Sequence, residues 1–322
     1  MIHQSKVLEV NLTQNSIISL SPIEITIPER PVKLQLRISA TIQGENLPVI
    51  LFSHGHGMSN YLSSLNGNLP LTNYWAEQGF IVIQPTHLDS KTLKLGENIT
   101  GWPLFWRSRA EDMIHILNQL KRIESIIPEI KNRVDYDKIV AAGLSMGAHT
   151  TSLLLGAEYD DPEDGNSVIS LRDNRIKAGI LFSSVGNGNG GKDLSKIANE
   201  NYPFLKNSNF TTMKTNTLVI AGDNDISTYL SIREADWATD PYFLSPRPKA
   251  LVTVFGGEHL LGGLSGYDAA ETTDENPERV SFIQKLTTAY LKSQLYHKNR
   301  DWEHIKTELS LTENPLGKIE TK

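Results

Sequence analysis

Apolar and polar positions along the 322-residue chain fall into short β-branched runs that alternate with longer stretches of helical spacing. That alternation predicts a mostly parallel sheet flanked by helices, an α/β architecture. Near the start, Ile17-Ile18-Ser19-Leu20 and Leu34-Gln35-Leu36-Arg37-Ile38-Ser39-Ala40 read as half-buried strands and are expected to form an antiparallel edge within residues 10–40. Six further apolar runs, bounded by turn residues, read as central strands buried on both faces: Val49-Ile50-Leu51-Phe52-Ser53, Ile81-Val82-Ile83-Gln84, Ile139-Val140-Ala141-Ala142, Ala178-Gly179-Ile180-Leu181-Phe182, Thr217-Leu218-Val219-Ile220-Ala221 and Leu251-Val252-Thr253-Val254-Phe255.

Helical spacing marks residues 73–78, 109–123, 146–155 and 277–295. In the last, Val280, Phe282, Ile283, Leu286, Tyr290, Leu291 and Leu295 form one stripe. The least regular stretches, 158–175 and 184–213, are rich in Gly, Asn, Asp and Pro and read as insertions that shape a substrate pocket. Residues 296–322 form a charged tail whose last residues are expected to fray. The whole, 1–322, reads as one domain with its core over about 35–295.

Composition narrows the function classes. With 39% hydrophobic and 21% charged residues the chain should bury a core. Net charge is −6, with basic residues scattered, so nothing marks a nucleic-acid partner. The absence of cysteine excludes disulfides, a thiol nucleophile and thiolate metal sites, and leaves compartment and oligomeric state open. Residues Met1 to Val10 lack the basic start and apolar run of a signal peptide, and no window approaches the roughly eighteen apolar residues of a membrane span. A cytoplasmic protein is expected, although a chain whose export signal had been removed would begin the same way.

The candidate chemistry lies at Gly143-Leu144-Ser145-Met146-Gly147, a G-x-S-x-G directly after a strand run and directly before an apolar helix. Serine is a poor nucleophile at neutral pH, and such a corner lifts its Oγ clear of the sheet while small flanking residues avoid the backbone. It also sets Ser145 at a helix N-terminus, where developing negative charge is favoured. In chain order an acid and a histidine follow, each just beyond a later strand: Gly222-Asp223-Asn224-Asp225 and Gly256-Gly257-Glu258-His259. His259 is the candidate general base. Asp223 and Asp225 compete as its partner; Asp225 is preferred because it sits farther beyond the strand, whereas Asp223 suits a turn bond to its own backbone. Glu258 is expected to be solvated.

An attacked carbonyl develops an alkoxide that needs two preorganised donors. The backbone N–H of Met146 is one candidate, and that of His56, in His54-Gly55-His56-Gly57, is the other. His-x-His is also a metal-ligand spacing, but no accompanying acidic or histidine cluster supports a metal site, and the His54 side chain reads as buried within the turn. Trp102 and Trp106, in the aromatic stretch before residue 109, would wall an apolar pocket or plug helix to sheet. Arg107 and Asp112 are expected to tie that connection together. His149 is read as structural, one turn inside its helix. The acidic run Asp160 to Asn166 lacks the spacing of a calcium loop and reads as solvated.

With Ser53-His54-Gly55-His56-Gly57, the G-x-S-x-G, Gly222-Asp223-Asn224-Asp225 and His259 together, the chain resembles the α/β-hydrolase superfamily over roughly residues 35 to 295. The His-Gly-x-Gly loop, Arg109-Ala110-x-Asp112 and the Gly-x-Ser-Met-Gly turn are similar to the dienelactone hydrolase-like branch, which shades into platelet-activating-factor acetylhydrolase-like and cutinase-like esterases. The resemblance implies an α/β-hydrolase fold of about eight mostly parallel strands and cofactor-free hydrolysis, without a metal, through an acyl-enzyme. Dienelactone hydrolases use a cysteine nucleophile, which this chain lacks, so carboxylic ester cleavage of a small-molecule or polymeric ester is expected instead. A peptidase or amidase would use the same three residues, and an inactive binding protein would keep the scaffold alone.

Overall fold

The computed structural model describes residues 16–57, 59–162, 164, 167–266 and 269–322. Residues 1–15, including the start of the expected 10–40 edge region, lie outside them, as do Glu163, Gly165 and Asn166 of the acidic run. Eleven strands are present among the described residues: β1 (Ile17–Ile25), β2 (Leu34–Thr41), β3 (Leu47–Ser53), β4 (Ile81–Pro85), β5 (Val134–Leu144), β6 (Glu158–Asp160), β7 (Val168–Ser170), β8 (Ile176–Phe182), β9 (Asn216–Gly222), β10 (Lys249–Val254) and β11 (Gly317–Thr321). The helices are α1 (Leu69–Glu77), α2 (Trp106–Ile126), α3 (Met146–Leu155), α4 (Lys196–Asn201), α5 (Asp240–Phe243), α6 (Pro277–Leu295) and α7 (Asp301–Leu311).

Nine strands form one sheet in the order β1-β2-β4-β3-β5-β8-β9-β10-β11. The six central runs, β4 to β10 in that order, pair in parallel, while β1, β2 and β11 join antiparallel. Successive side chains of a strand alternate between faces. Val49 and Leu51 therefore pack with α2 and α3, and Ile50 and Phe52 with α1, α6 and α7, which gives two apolar layers around a buried sheet. The layer on the second side is tied by Trp75 of α1, whose Nε1 donates to Thr287 of α6 at 3.0 Å.

Two expectations need correction. The sheet has nine strands and not about eight, and the extra one is built from the tail expected to fray. Trp302, Ile305 and Leu309 share one face of α7 and are buried, with Trp302 edge-on to Tyr290 of α6 at 5.3 Å. That docking delivers β11 to the free edge of β10, where Gly317 is required because a Cβ would stand 2.3 Å from the Thr253 carbonyl. Within the irregular stretches, 158–175 holds the separate β6–β7 hairpin and 184–213 holds α4.

Candidate active site

β5 and α3 meet at Ser145, whose φ of 55° and ψ of −117° are foreign to most L-residues. Holding a non-glycine residue there costs on the order of 1–3 kcal/mol, which surrounding contacts must offset. Those contacts are visible. The Ser145 N–H donates to the Phe182 carbonyl at 2.9 Å, and its own carbonyl accepts from Ala148 at 2.8 Å. Glycine is obligatory on both sides: a Cβ on Gly143 would lie 2.1 Å from the Gly147 carbonyl oxygen, and one on Gly147 would lie 1.9 Å from that of Ser53. Thus α3 begins almost in contact with the end of β3.

Farther along the sheet, the loops after β9 and β10 touch through glycines, since a Cβ on Gly222 would lie 2.0 Å from the Gly257 carbonyl. This brings Asp225 and His259 together. Asp225 Oδ1 lies 2.9 Å from His259 Nδ1, and His259 Nε2 lies 2.9 Å from Ser145 Oγ. Asp223 instead accepts from the Gly256 N–H at 2.6 Å, a turn bond that takes it away from the imidazole. The Asp225 side chain is 4% exposed and that of His259 41%, so the ring bridges a buried carboxylate and an open mouth. Withdrawal from water disfavours the imidazolium, but the charge and hydrogen bond of Asp225 outweigh it and raise the His259 pKa. Glu258 is not simply solvated: its N–H donates to Asp274 at 2.9 Å, and its carboxylate accepts from Thr273.

On the other side of Ser145, residues 54–57 leave β3. A Cβ on Gly55 would lie 3.7 Å from that of Ser145, so this loop runs beside the serine. Met146 opens α3, where first-turn N–H groups have no intrahelical acceptor. Beneath the loop, Arg109 is fully buried: Nη1 pairs with Asp89, Nη2 donates to the His54 carbonyl, and Nε donates to Thr150 of α3 at 3.0 Å. The Arg109 charge holds the Asp89 carboxyl well below its ordinary pKa against the opposing effect of burial. The second Asp89 oxygen lies 2.9 Å from His56 Nδ1.

Both nitrogens of His54 are occupied, Nδ1 by the Gly55 carbonyl at 2.7 Å and Nε2 by the His87 N–H at 3.1 Å. Burial pushes its pKa well down, and the Arg109 charge adds to this. The His-x-His pair therefore does not converge as a ligand pair, and among the described residues no group of three or more His, Asp or Glu is arranged to hold an ion. Asp112 ties α2 to Arg30 and His87, at 2.9 and 3.0 Å, whereas Arg107 only meets Glu111 and Asp161 at the surface. Sequence reasoning assigned no such role to Arg109 or Asp89. The legible signal was a charged residue at position 109 on the same helical face as Met113 and Ile116.

The two tryptophans part company. Trp106 stacks on Phe204 at 5.0 Å and packs against the cluster of Met146, Val185, Leu205 and Trp237 that flanks the serine corner. Trp102 is 46% exposed and lies outside that cluster. His149 is fully buried against Tyr159, Phe204 and Trp106, and desolvation pushes its pKa down to about 3, so it is a neutral packing group.

No protein-family model matches the chain, and no curated protein matches it in sequence. The α/β architecture stands on the sheet and its flanking helices. Among the described residues no helix is long and apolar enough to cross a membrane.

Proposed function

We propose that the chain is a serine carboxylic ester hydrolase of the α/β-hydrolase type, with Ser145, His259 and Asp225 as its triad. The observation that carries this reading is the unbroken chain Ser145 Oγ–His259–Asp225, with both links at 2.9 Å, at a strained strand-to-helix corner. Asp225 fixes the tautomer, so His259 Nδ1 carries the hydrogen and Nε2 presents its lone pair to Ser145. Ser145 Oγ attacks the ester carbonyl as Nε2 takes its proton. The oxyanion is held by the backbone N–H groups of Met146 and His56. Nε2 returns the proton to the departing alkoxide, leaving an acyl group on Ser145. Water repeats the sequence and releases the acid.

The Trp106–Phe204 stack and the cluster around Met146 form the apolar side of the substrate region. The test is a series of nitrophenyl esters of increasing acyl length, assayed on the protein and on Ser145→Ala. Replacement of the serine should lower kcat by at least about 10⁴-fold. Turnover that survives the substitution would remove the assignment, and cleavage confined to amides would replace esterase with amidase.

A further inference from the structure

Ser145 stands at the end of β5, and in the strand order a carboxylate–imidazole pair flanks it on each side. His259–Asp225 arrives from β10 and β9, and His56–Asp89 arrives from the loops after β3 and β4. The second pair has no part in the proton relay proposed above. From its geometry we infer that the His56 side chain is a specificity-determining contact that accepts a hydrogen bond from a hydroxyl near the scissile carbonyl, so that hydroxylated esters are the favoured substrates.

Three observations lead there. First, the ring has a fixed tautomer. Asp89 is an ionised carboxylate clamped by Arg109, so the 2.9 Å contact requires His56 Nδ1 to carry the hydrogen and donate. In that tautomer Nε2 is the acceptor nitrogen of the ring. Second, the ring has a fixed direction. The Asp89 side chain is fully buried whereas that of His56 is 28% exposed, and the two nitrogens of an imidazole diverge, so the Nε2 edge faces the open side. Third, its backbone runs beside the nucleophile. His56 follows Gly55, where an added Cβ would lie 3.7 Å from that of Ser145. The residue whose backbone N–H is assigned to the carbonyl oxygen thus also carries a side-chain acceptor. A hydroxyl on the α-carbon of the acyl group, or on the second carbon of the alcohol, one beyond the carbon that bears the ester oxygen, lies a few bonds from that carbonyl and would supply the missing donor.

The arrangement is built, not incidental. Arg109 reaches the Asp89 carboxylate and the His54 carbonyl at once, and so sets the loop and the orienting acid in one stroke. A surface histidine needs no such support.

This inference rests on the hydrolase reading, and the experiment separates the two. Ethyl glycolate is compared with ethyl acetate, and glycerol monoacetate with propyl acetate, by titration of released acid at pH 8, for the parent protein and for His56→Phe and His56→Gln. The first ester pair reports an acyl-side hydroxyl, the second an alcohol-side hydroxyl. In at least one pair, the kcat/KM ratio of hydroxylated to plain ester should fall about tenfold or more in His56→Phe, with the change mainly in KM. His56→Gln, which keeps an acceptor oxygen, should retain part of the ratio and serves if the phenylalanine variant does not fold. Equal ratios in parent and variants, with hydrolysis abolished by Ser145→Ala, overturn the role of His56 and leave the hydrolase reading standing. Hydrolysis that persists in Ser145→Ala overturns both.

Discussion

At the scale of single residues, the proposed mechanism turns on the protonation of the His259 imidazole. In the proposed role of general base it must be neutral, and Asp225 raises its pKa above the ordinary histidine value of about 6.5. Activity should therefore fall as pH drops through a midpoint above that value, which a kcat/KM profile between pH 5 and 9 would show. Asp225→Asn removes the charge that favours the imidazolium, so the midpoint should move down while the plateau falls by about 10³–10⁴-fold. An unmoved midpoint would detach Asp225 from the imidazole. Asp223 and Asp225 lie in one turn and look alike in sequence, but in the fold Asp223 is spent on the Gly256 N–H. Its neighbour is left facing His259.

At the scale of elements, α7 and β11 turn an apparently solvated tail into a structural clasp. Full burial of one large apolar side chain contributes about 1.5–3 kcal/mol, and α7 buries Trp302, Ile305 and Leu309. Trp302→Ala should therefore cost about 3–5 kcal/mol, read as a lower urea midpoint at unchanged slope. A midpoint equal to the parent's would mean that α7 docks without that ring. The six central strands were legible because each is a bare apolar run, buried on both faces, and α3 because Gly143 and Gly147 bracket Ser145. The clasp was hidden because only three of the eleven residues of α7 are buried and charges separate them, while β11 has alternating polar neighbours and meets solvent on much of its length. Contacts between distant loops, such as Arg109 with Asp89, leave no periodic trace at all.

For the molecule as a whole, the buried Arg109–Asp89 pair joins α2, α3 and the loops after β3 and β4 into one polar cluster within an apolar body. A buried ion pair is weak evidence of net stability, yet removing one partner strands the other charge. Arg109→Met should lower stability by about 3–5 kcal/mol by chemical denaturation, and Arg109→Met combined with Asp89→Asn should recover part of that loss. If the double variant proved no better than the single, the stranded carboxylate would not be the source of the penalty.

Ser145 and His259 are 114 residues apart in sequence, and their hydrogen bond spans strands that are not neighbours in the sheet. Closing so long a loop is entropically costly and depends on the strands between them being in register. Under the proposed hydrolase mechanism, turnover would therefore serve as an assay of folding itself: during refolding, catalysis should return only with the final docking of the sheet, after the recovery of helical signal, and a partly assembled chain would be silent.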